Sequence, residues 1–169
     1  MTATIETTPA SPARRRATTV LAWLGLAGRL YLGYTFITAG IDKLPHPETT
    51  RQAVFAYQLL PWQWLTAYAH ALPIAELLLG ILLVVGVFTR SAAVLLALGL
   101  CSFIVGITSV WLRGISIDCG CFGGGGASTD PHYLEHTLRD VGYLAIATYL
   151  VVVRRTALAL GDWLFGHRD

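Results

Sequence analysis

Four long apolar stretches, separated by shorter polar segments, dominate the chain. They occupy residues 20–41, 67–88, 92–112 and 138–153. About 20 apolar residues in a row are enough for a helix to cross the hydrocarbon core of a bilayer, because a helix rises about 1.5 Å per residue. The pattern therefore predicts an all-α fold, an integral membrane four-helix bundle surrounded by membrane lipid, with one domain over residues 20–153.

The polar segments predict what flanks these spans. Residues 1–19 are rich in Thr, Ala and Pro and lack an apolar period, which is typical of a disordered tail, here cytoplasmic. Residues 154–169 combine basic and aromatic side chains and predict a cytoplasmic amphipathic tail on the membrane surface. Residues 48–60 lie in a loop rich in Trp and Tyr, which predicts a short helix at the outer interface.

Composition and charge agree with a membrane protein. Hydrophobic residues make up 54% of the chain and charged residues only 13%, whereas soluble domains carry about a quarter charged residues. The net charge is +2 and no basic face is formed, so nothing indicates nucleic-acid binding. Basic residues are more frequent on the side of the termini, which predicts a plasma (inner) membrane protein with both termini in the cytoplasm.

With both termini in the cytoplasm, the connection after the third span lies on the extracytoplasmic side. It carries Cys119 and Cys121, separated by one glycine. Two thiols so close can form a strained disulfide, and a strained disulfide is easily opened by another thiol. An extracytoplasmic compartment also lets disulfides persist. We predict a redox dithiol with both cysteines as the catalytic pair. The alternatives are a static structural clip and, less typical at this spacing, a metal site with His132 and His136.

Ionisable residues within the spans are the second candidate site. Arg29 and Glu76 would each cost a few kcal/mol in lipid unless paired or hydrated, so we predict an intramembrane pair between them. The alternatives are separate water-filled crevices, or an Arg29 side chain that reaches the cytoplasmic interface. Arg139 and Asp140, at the start of the fourth span, either cap the bundle or reach its polar centre. Cys101, in the third span, is a supporting candidate, although a lone buried cysteine is usually a small hydrophobe.

Several of these positions resemble the DoxX-like family of four-span membrane proteins, and others resemble its MauE branch. The similarity covers residues 20–153. The DoxX-like positions are Arg29, Gly33, Gly40-Ile41-Asp42-Lys43-Leu44, Pro73, Glu76, Gly80 and Gly86, and the MauE-like ones are Cys119-Gly120-Cys121-Phe122-Gly123 and Arg139-Asp140.

This resemblance implies a membrane component of extracytoplasmic thiol chemistry. Members of the MauE branch are implicated in maturing a disulfide-rich periplasmic enzyme subunit beside a thioredoxin-like partner, and DoxX-type relatives are linked to sulfur oxidation and quinone. The resemblance implies roles for Arg29, Glu76, Cys119, Cys121 and Asp140, but it does not establish methylamine metabolism.

The sequence thus predicts a membrane thiol-disulfide oxidoreductase that exchanges electrons with an extracytoplasmic thioredoxin-like protein, with quinone as a candidate acceptor and the direction of flow open. The main alternative is a non-catalytic assembly factor whose cysteines brace the outer loop. A further alternative is an ion or solute carrier that uses Arg29 and Glu76, since ionisable residues in membranes often mark pathways.

Overall fold

The structure, a computed structural model, describes residues 12–118, 126–127 and 133–153, with side chains for 19–117 and 133–153. These residues form five helices and two very short strands. In chain order the elements are α1 (Pro12–Lys43), α2 (Pro47–Ala56), α3 (Trp62–Val85), α4 (Thr89–Leu112), β1 (Ile117–Asp118), β2 (Gly126–Ala127) and α5 (Tyr133–Val152).

Three of these helices are long and apolar enough to cross a membrane. They are Thr19–Lys43 within α1, the whole of α3 and the whole of α4. The predicted all-α membrane fold is therefore confirmed. The fourth predicted span, 138–153, is helical as part of α5, but Glu135, Arg139 and Asp140 make this helix too polar to join the other three.

The first helix begins earlier than the sequence predicts. The disordered tail was expected to extend to residue 19, whereas α1 begins at Pro12. Proline is well suited to the first turn of a helix, where its missing N–H is not needed, and the Ala and Arg residues that follow are good helix formers. Residues 1–11 and the predicted tail at 154–169 lie outside the described residues.

Small residues let α1 and α3 pack closely and fix the axial register between the two helices. A methyl group added at Gly33 would lie 3.0 Å from the backbone oxygen of Gly80, and one at Gly40 would lie 2.8 Å from that of Pro73. Position 33 therefore faces 80 and position 40 faces 73, so the two helices run antiparallel. Such close backbone contact through small residues is a common way to join helices in membranes.

The remaining helices complete a closed ring of contacts, in which α1 and α4 each touch both α3 and α5. A short turn joins α3 to α4, and two residues with positive φ shape it, Gly86 at 78° and Phe88 at 50°. Side chains from all four of these helices fill the space between them. The main core residues are Leu32, Phe36, Leu83, Ala92, Ala93, Leu96, Leu100, Ala147 and Leu150.

The two short strands lie at one end of this ring. They pair antiparallel, with Ile117 opposite Ala127 and Asp118 opposite Gly126. Helices α1 and α4 end at this side and α3 and α5 begin there, and α2 contacts both α3 and β2. The end that carries the strands is also the end to which the loop of residues 119–125 belongs.

Candidate functional site

A buried ion pair joins the end of α1 to the middle of α3. The Lys43 ammonium donates to both carboxylate oxygens of Glu76, with Nζ to Oε1 and Oε2 distances of 2.7 and 2.9 Å. Both side chains are almost completely shielded, 3% exposed for Lys43 and 5% for Glu76. Each charge is therefore removed from solvent and neutralised by the other, because an unpaired buried charge would be strongly destabilising.

This finding corrects the predicted pair between Arg29 and Glu76. Gly33 packs beside Gly80 and Val84, and Arg29 lies one further helical turn away, level with the end of α3. From there to Glu76 is about nine residues, or roughly 13 Å along the helix. Arg29 is buried, at 2% exposure, but at another level of the bundle.

The direction of helical side chains explains why Lys43 is the partner instead. Side chains lean toward the N-terminus of their own helix. Because α1 and α3 are antiparallel, the side chain of Lys43 leans back toward the level of Gly40 and Pro73, and that of Glu76 leans toward the same level from the other direction. The two therefore converge, whereas the side chain of Arg29 leans away from Glu76.

A second buried carboxyl group lies on α5. Asp140 is 0% exposed. Its Oδ1 atom is 3.4 Å from both Nε and Nη2 of Arg139, long contacts for a charged pair, and the Arg139 side chain is 31% exposed. Lys43 interacts electrostatically with both residues, so α5 adds its charges to the pair between α1 and α3. Of the two predictions for Arg139 and Asp140, the structure favours the polar centre.

Together, Lys43, Glu76 and Asp140 form what we call the buried polar centre, one residue from each of α1, α3 and α5. Sequence reasoning found the two acids but assigned Lys43 to the outer flank of the first span. Lys43 lies four residues before α2, in the segment 40–44 that resembles the DoxX-like family, and nothing in that segment predicts its burial. The signal that could have identified Lys43 is the pair of small residues Gly33 and Gly80, because their contact aligns α1 with α3 and brings Lys43 to the level of Glu76.

Tyr133, at the start of α5, ties down the base of the cysteine loop. Its hydroxyl accepts a hydrogen bond from the Ile117 amide at 2.9 Å and donates one to the backbone oxygen of Ile115. Its ring stacks on Trp111 with 6.1 Å between centroids and also packs on Ile107. The chain on both sides of the loop is thus held to the end of α4. Sequence analysis did not identify this residue.

Cys119 and Cys121 lie outside the described residues, as does His132. Their place in the chain is nevertheless well defined, because Cys119 directly follows β1 and the pairing of Asp118 with Gly126 encloses both cysteines in a seven-residue connection, 119–125. His136 is the one member of the alternative metal set that is described, and no group of three or more His, Cys, Asp and Glu residues that could hold a metal occurs among described positions.

Cys101 is exposed on α4, on the outside of the helix ring. It does not take part in the buried polar centre. Its role as a supporting residue stays a prediction.

Comparisons with known proteins agree with these features. Residues 21–153 match the family described as "Methylamine utilisation protein MauE". A curated relative, the "Methylamine utilization protein MauE" of Paracoccus denitrificans, is 35% identical over 98 residues. The alignment covers 57% of this chain and 53% of the relative, so the chain spans about half of that relative's length. No solved structure matches. The family match covers most of the chain and every residue of the buried polar centre, and the chain belongs to the MauE family.

Proposed function

We propose that this membrane protein exchanges disulfides with an extracytoplasmic thioredoxin-like protein through Cys119 and Cys121. Family membership supports a membrane accessory role. The name printed for the relative in Paracoccus denitrificans places that protein in methylamine utilisation. The maturation of a disulfide-containing protein is the accessory task that two closely spaced thiols at the end of a membrane bundle suit best.

The pairing of Asp118 with Gly126 is the observation that carries this proposal. It holds both ends of the 119–125 connection together at the strand-bearing end of the bundle, and this connection contains both cysteines. Tyr133 adds a second anchor, because its hydroxyl bonds the chain on either side of position 116. This anchoring supports a dithiol that meets a soluble partner while the membrane helices stay packed.

The exchange follows ordinary thiol chemistry. A thiolate of the partner attacks one sulfur of the Cys119–Cys121 disulfide, forms a mixed disulfide and releases the other sulfur as a thiolate. The partner's second thiol then closes its own disulfide. Two electrons and two protons have moved from the partner to Cys119 and Cys121, and a two-electron acceptor such as a membrane quinone takes both when it restores the disulfide. The reverse direction uses the same steps.

The distribution of basic residues supports an extracytoplasmic position for the loop. Lys43 was counted on the outer flank, but it is bonded to Glu76 inside the bundle. The excess of basic residues on the side of the termini and of the turn at Arg90 is therefore larger than the sequence suggests. By the positive-inside rule, the side that carries the start of α1 and the turn at Arg90 then faces the cytoplasm, and the strand-bearing end faces outward.

Trapping of the mixed disulfide tests the proposal directly. Cys119→Ser and Cys121→Ser each leave one thiol, which should retain a covalent thioredoxin-like protein that reductant releases. Cys101→Ser is the matched control, because Cys101 is a single exposed thiol on α4, outside the 119–125 connection. In a Cys101→Ser background, a membrane-impermeant maleimide applied to intact cells should label the remaining pair after mild reduction.

The structural-clip alternative gives a different result. If the cysteines only brace the loop, the double variant of Cys119 and Cys121 loses thermal stability, no adduct forms with either single variant, and the oxidation state of extracytoplasmic thiol proteins is unchanged. That combination would refute disulfide exchange. A failure of impermeant labelling even after reduction would refute the outward orientation.

A further inference from the structure

The carboxyl group of Asp140 is buried, and its hydrogen bonding among the described residues is incomplete. The residue is 0% exposed. Its Oδ2 atom has no hydrogen-bond partner among the residues that the structure describes, and its Oδ1 atom has only the two 3.4 Å contacts with Arg139. An ionised carboxylate offers about four acceptor positions. Leaving most of them empty in a water-poor interior is costly, so the ionised form fits this position poorly.

The nearby cations do not supply the missing bonds. Lys43 acts on Asp140 electrostatically, but its ammonium bonds to both oxygens of Glu76. The guanidinium of Arg139 lies 3.4 Å from Oδ1 of Asp140, which is long for a charged hydrogen bond, and the Arg139 side chain is partly exposed. On α4, which also packs against α5, the two arginines lie at the helix ends, at Arg90 and Arg113. The remaining groups that act on Asp140 or lie beside it on α5 are His136 and Tyr143.

His136 provides a connection from Asp140 toward the start of α5. The two residues are four positions apart, so they share one face of the helix, and they interact electrostatically. His136 is half-buried and lies one turn from the strand-bearing end. Histidine is the side chain that most readily gains and loses a proton near neutral pH.

We infer that the buried polar centre is a proton-binding site, in which Asp140 holds an exchangeable proton as a neutral carboxylic acid and His136 is the group through which that proton exchanges with the strand-bearing end. Because Oδ2 of Asp140 has no hydrogen-bond partner among the described residues, the proton passes to it from protonated His136 through a bridging water. The transfer leaves a neutral imidazole and a carboxylic acid, and the return transfer is the reverse. No electron transfer is involved, so the inference is independent of the proposed thiol exchange.

Infrared spectroscopy of the full-length protein in lipid nanodiscs tests this inference. At pH 7 the wild type should show the C=O stretch of a protonated carboxylic acid. Asp140→Asn should remove this band. Glu135→Gln should retain it, because Glu135 is an exposed acid on the same helix. The double variant Lys43→Met with Glu76→Met should also retain the band, since it removes both partners of the ion pair, leaves no unpaired cation and keeps Asp140.

Two additional measurements keep the test decisive if Asp140→Asn fails to fold. Labelling the aspartate carboxyl carbons of the wild type with 13C should shift the band, which assigns it to aspartate without a substitution. After transfer to D2O, His136→Gln should slow the isotope shift of the band by roughly a hundredfold, the lower end of what a positioned proton donor contributes. The absence of a carboxylic acid band at pH 7, or its persistence in Asp140→Asn, would overturn the site, and an unchanged exchange rate would overturn the role of His136.

Discussion

The same chemical change at two glutamates, one buried and one exposed, measures what the Lys43–Glu76 pair contributes to stability. Both acids are in ion pairs with an N···O distance of 2.7 Å, Glu76 with Lys43 and Glu48 with Arg51. The Glu76 side chain is 5% exposed and that of Glu48 is 68% exposed. Burial is thus the main difference between Glu76→Gln and Glu48→Gln.

The expected costs differ severalfold. Glu76→Gln leaves the ammonium of Lys43 buried without its counter-ion, which costs about 3–5 kcal/mol of unfolding free energy. Glu48→Gln removes an exposed pair worth about 0–1 kcal/mol. For a chain of this size, each kcal/mol lowers the melting temperature by about 2–4 °C, so Glu76→Gln should melt roughly 6–20 °C below wild type.

Thermal unfolding in bicelles, followed by far-UV circular dichroism, is a suitable assay. A variant with Met at both positions, Lys43→Met with Glu76→Met, separates burial of charge from loss of contact. Because it leaves no unpaired charge, it should recover most of the loss. The reasoning is refuted if Glu76→Gln and Glu48→Gln melt within about 2 °C of each other, the shift expected for less than 1 kcal/mol.

Two other predictions concern the helix interface and the loop base. Gly80→Ala should destabilise the protein by about 1–3 kcal/mol, since the new methyl group would meet the backbone of α1 at 2.9 Å. Gly99→Ala, where nothing lies within 4 Å, should instead be neutral or stabilising by up to about 1 kcal/mol in the same melting assay, and equal effects would contradict the described register. Tyr133→Phe keeps the ring that stacks on Trp111 but removes the hydroxyl bonded to Ile117, so we expect amide hydrogen exchange at Ile117 to accelerate by about fivefold for the loss of about 1 kcal/mol. Unchanged exchange there would show that the hydroxyl does not anchor the loop.

Most of the helical structure, but neither short strand, followed from the sequence pattern. The spans predicted at 67–88 and 92–112 correspond to α3 and α4 within a few residues, and the surface helix predicted at 48–60 corresponds to α2. These helices depend on local sequence, because the backbone polar groups of about 20 apolar residues in a row can all be hydrogen-bonded in lipid only within a helix. The polarity of α5 was also visible in the sequence, at Arg139 and Asp140.

The pairing of charges did not follow from the sequence, because it depends on how far one helix slides along another. Hydropathy places Arg29 and Glu76 each within a span, but it contains no information on axial register. That register is set by backbone contact at Gly33, Gly40 and Gly80, and it brings Lys43 to Glu76. The anchoring role of Tyr133 depends in the same way on a contact with the distant residue Ile117.

The Lys43–Glu76 contact also has a consequence for biogenesis. Neither charge enters lipid cheaply alone, but as a bonded couple they enter with little net charge. The residues are 33 positions apart, so both are available before α5 has been synthesised. We therefore expect α1 and α3 to integrate together as a hairpin, before α5 brings Asp140 to an interior in which Lys43 and Glu76 already neutralise each other.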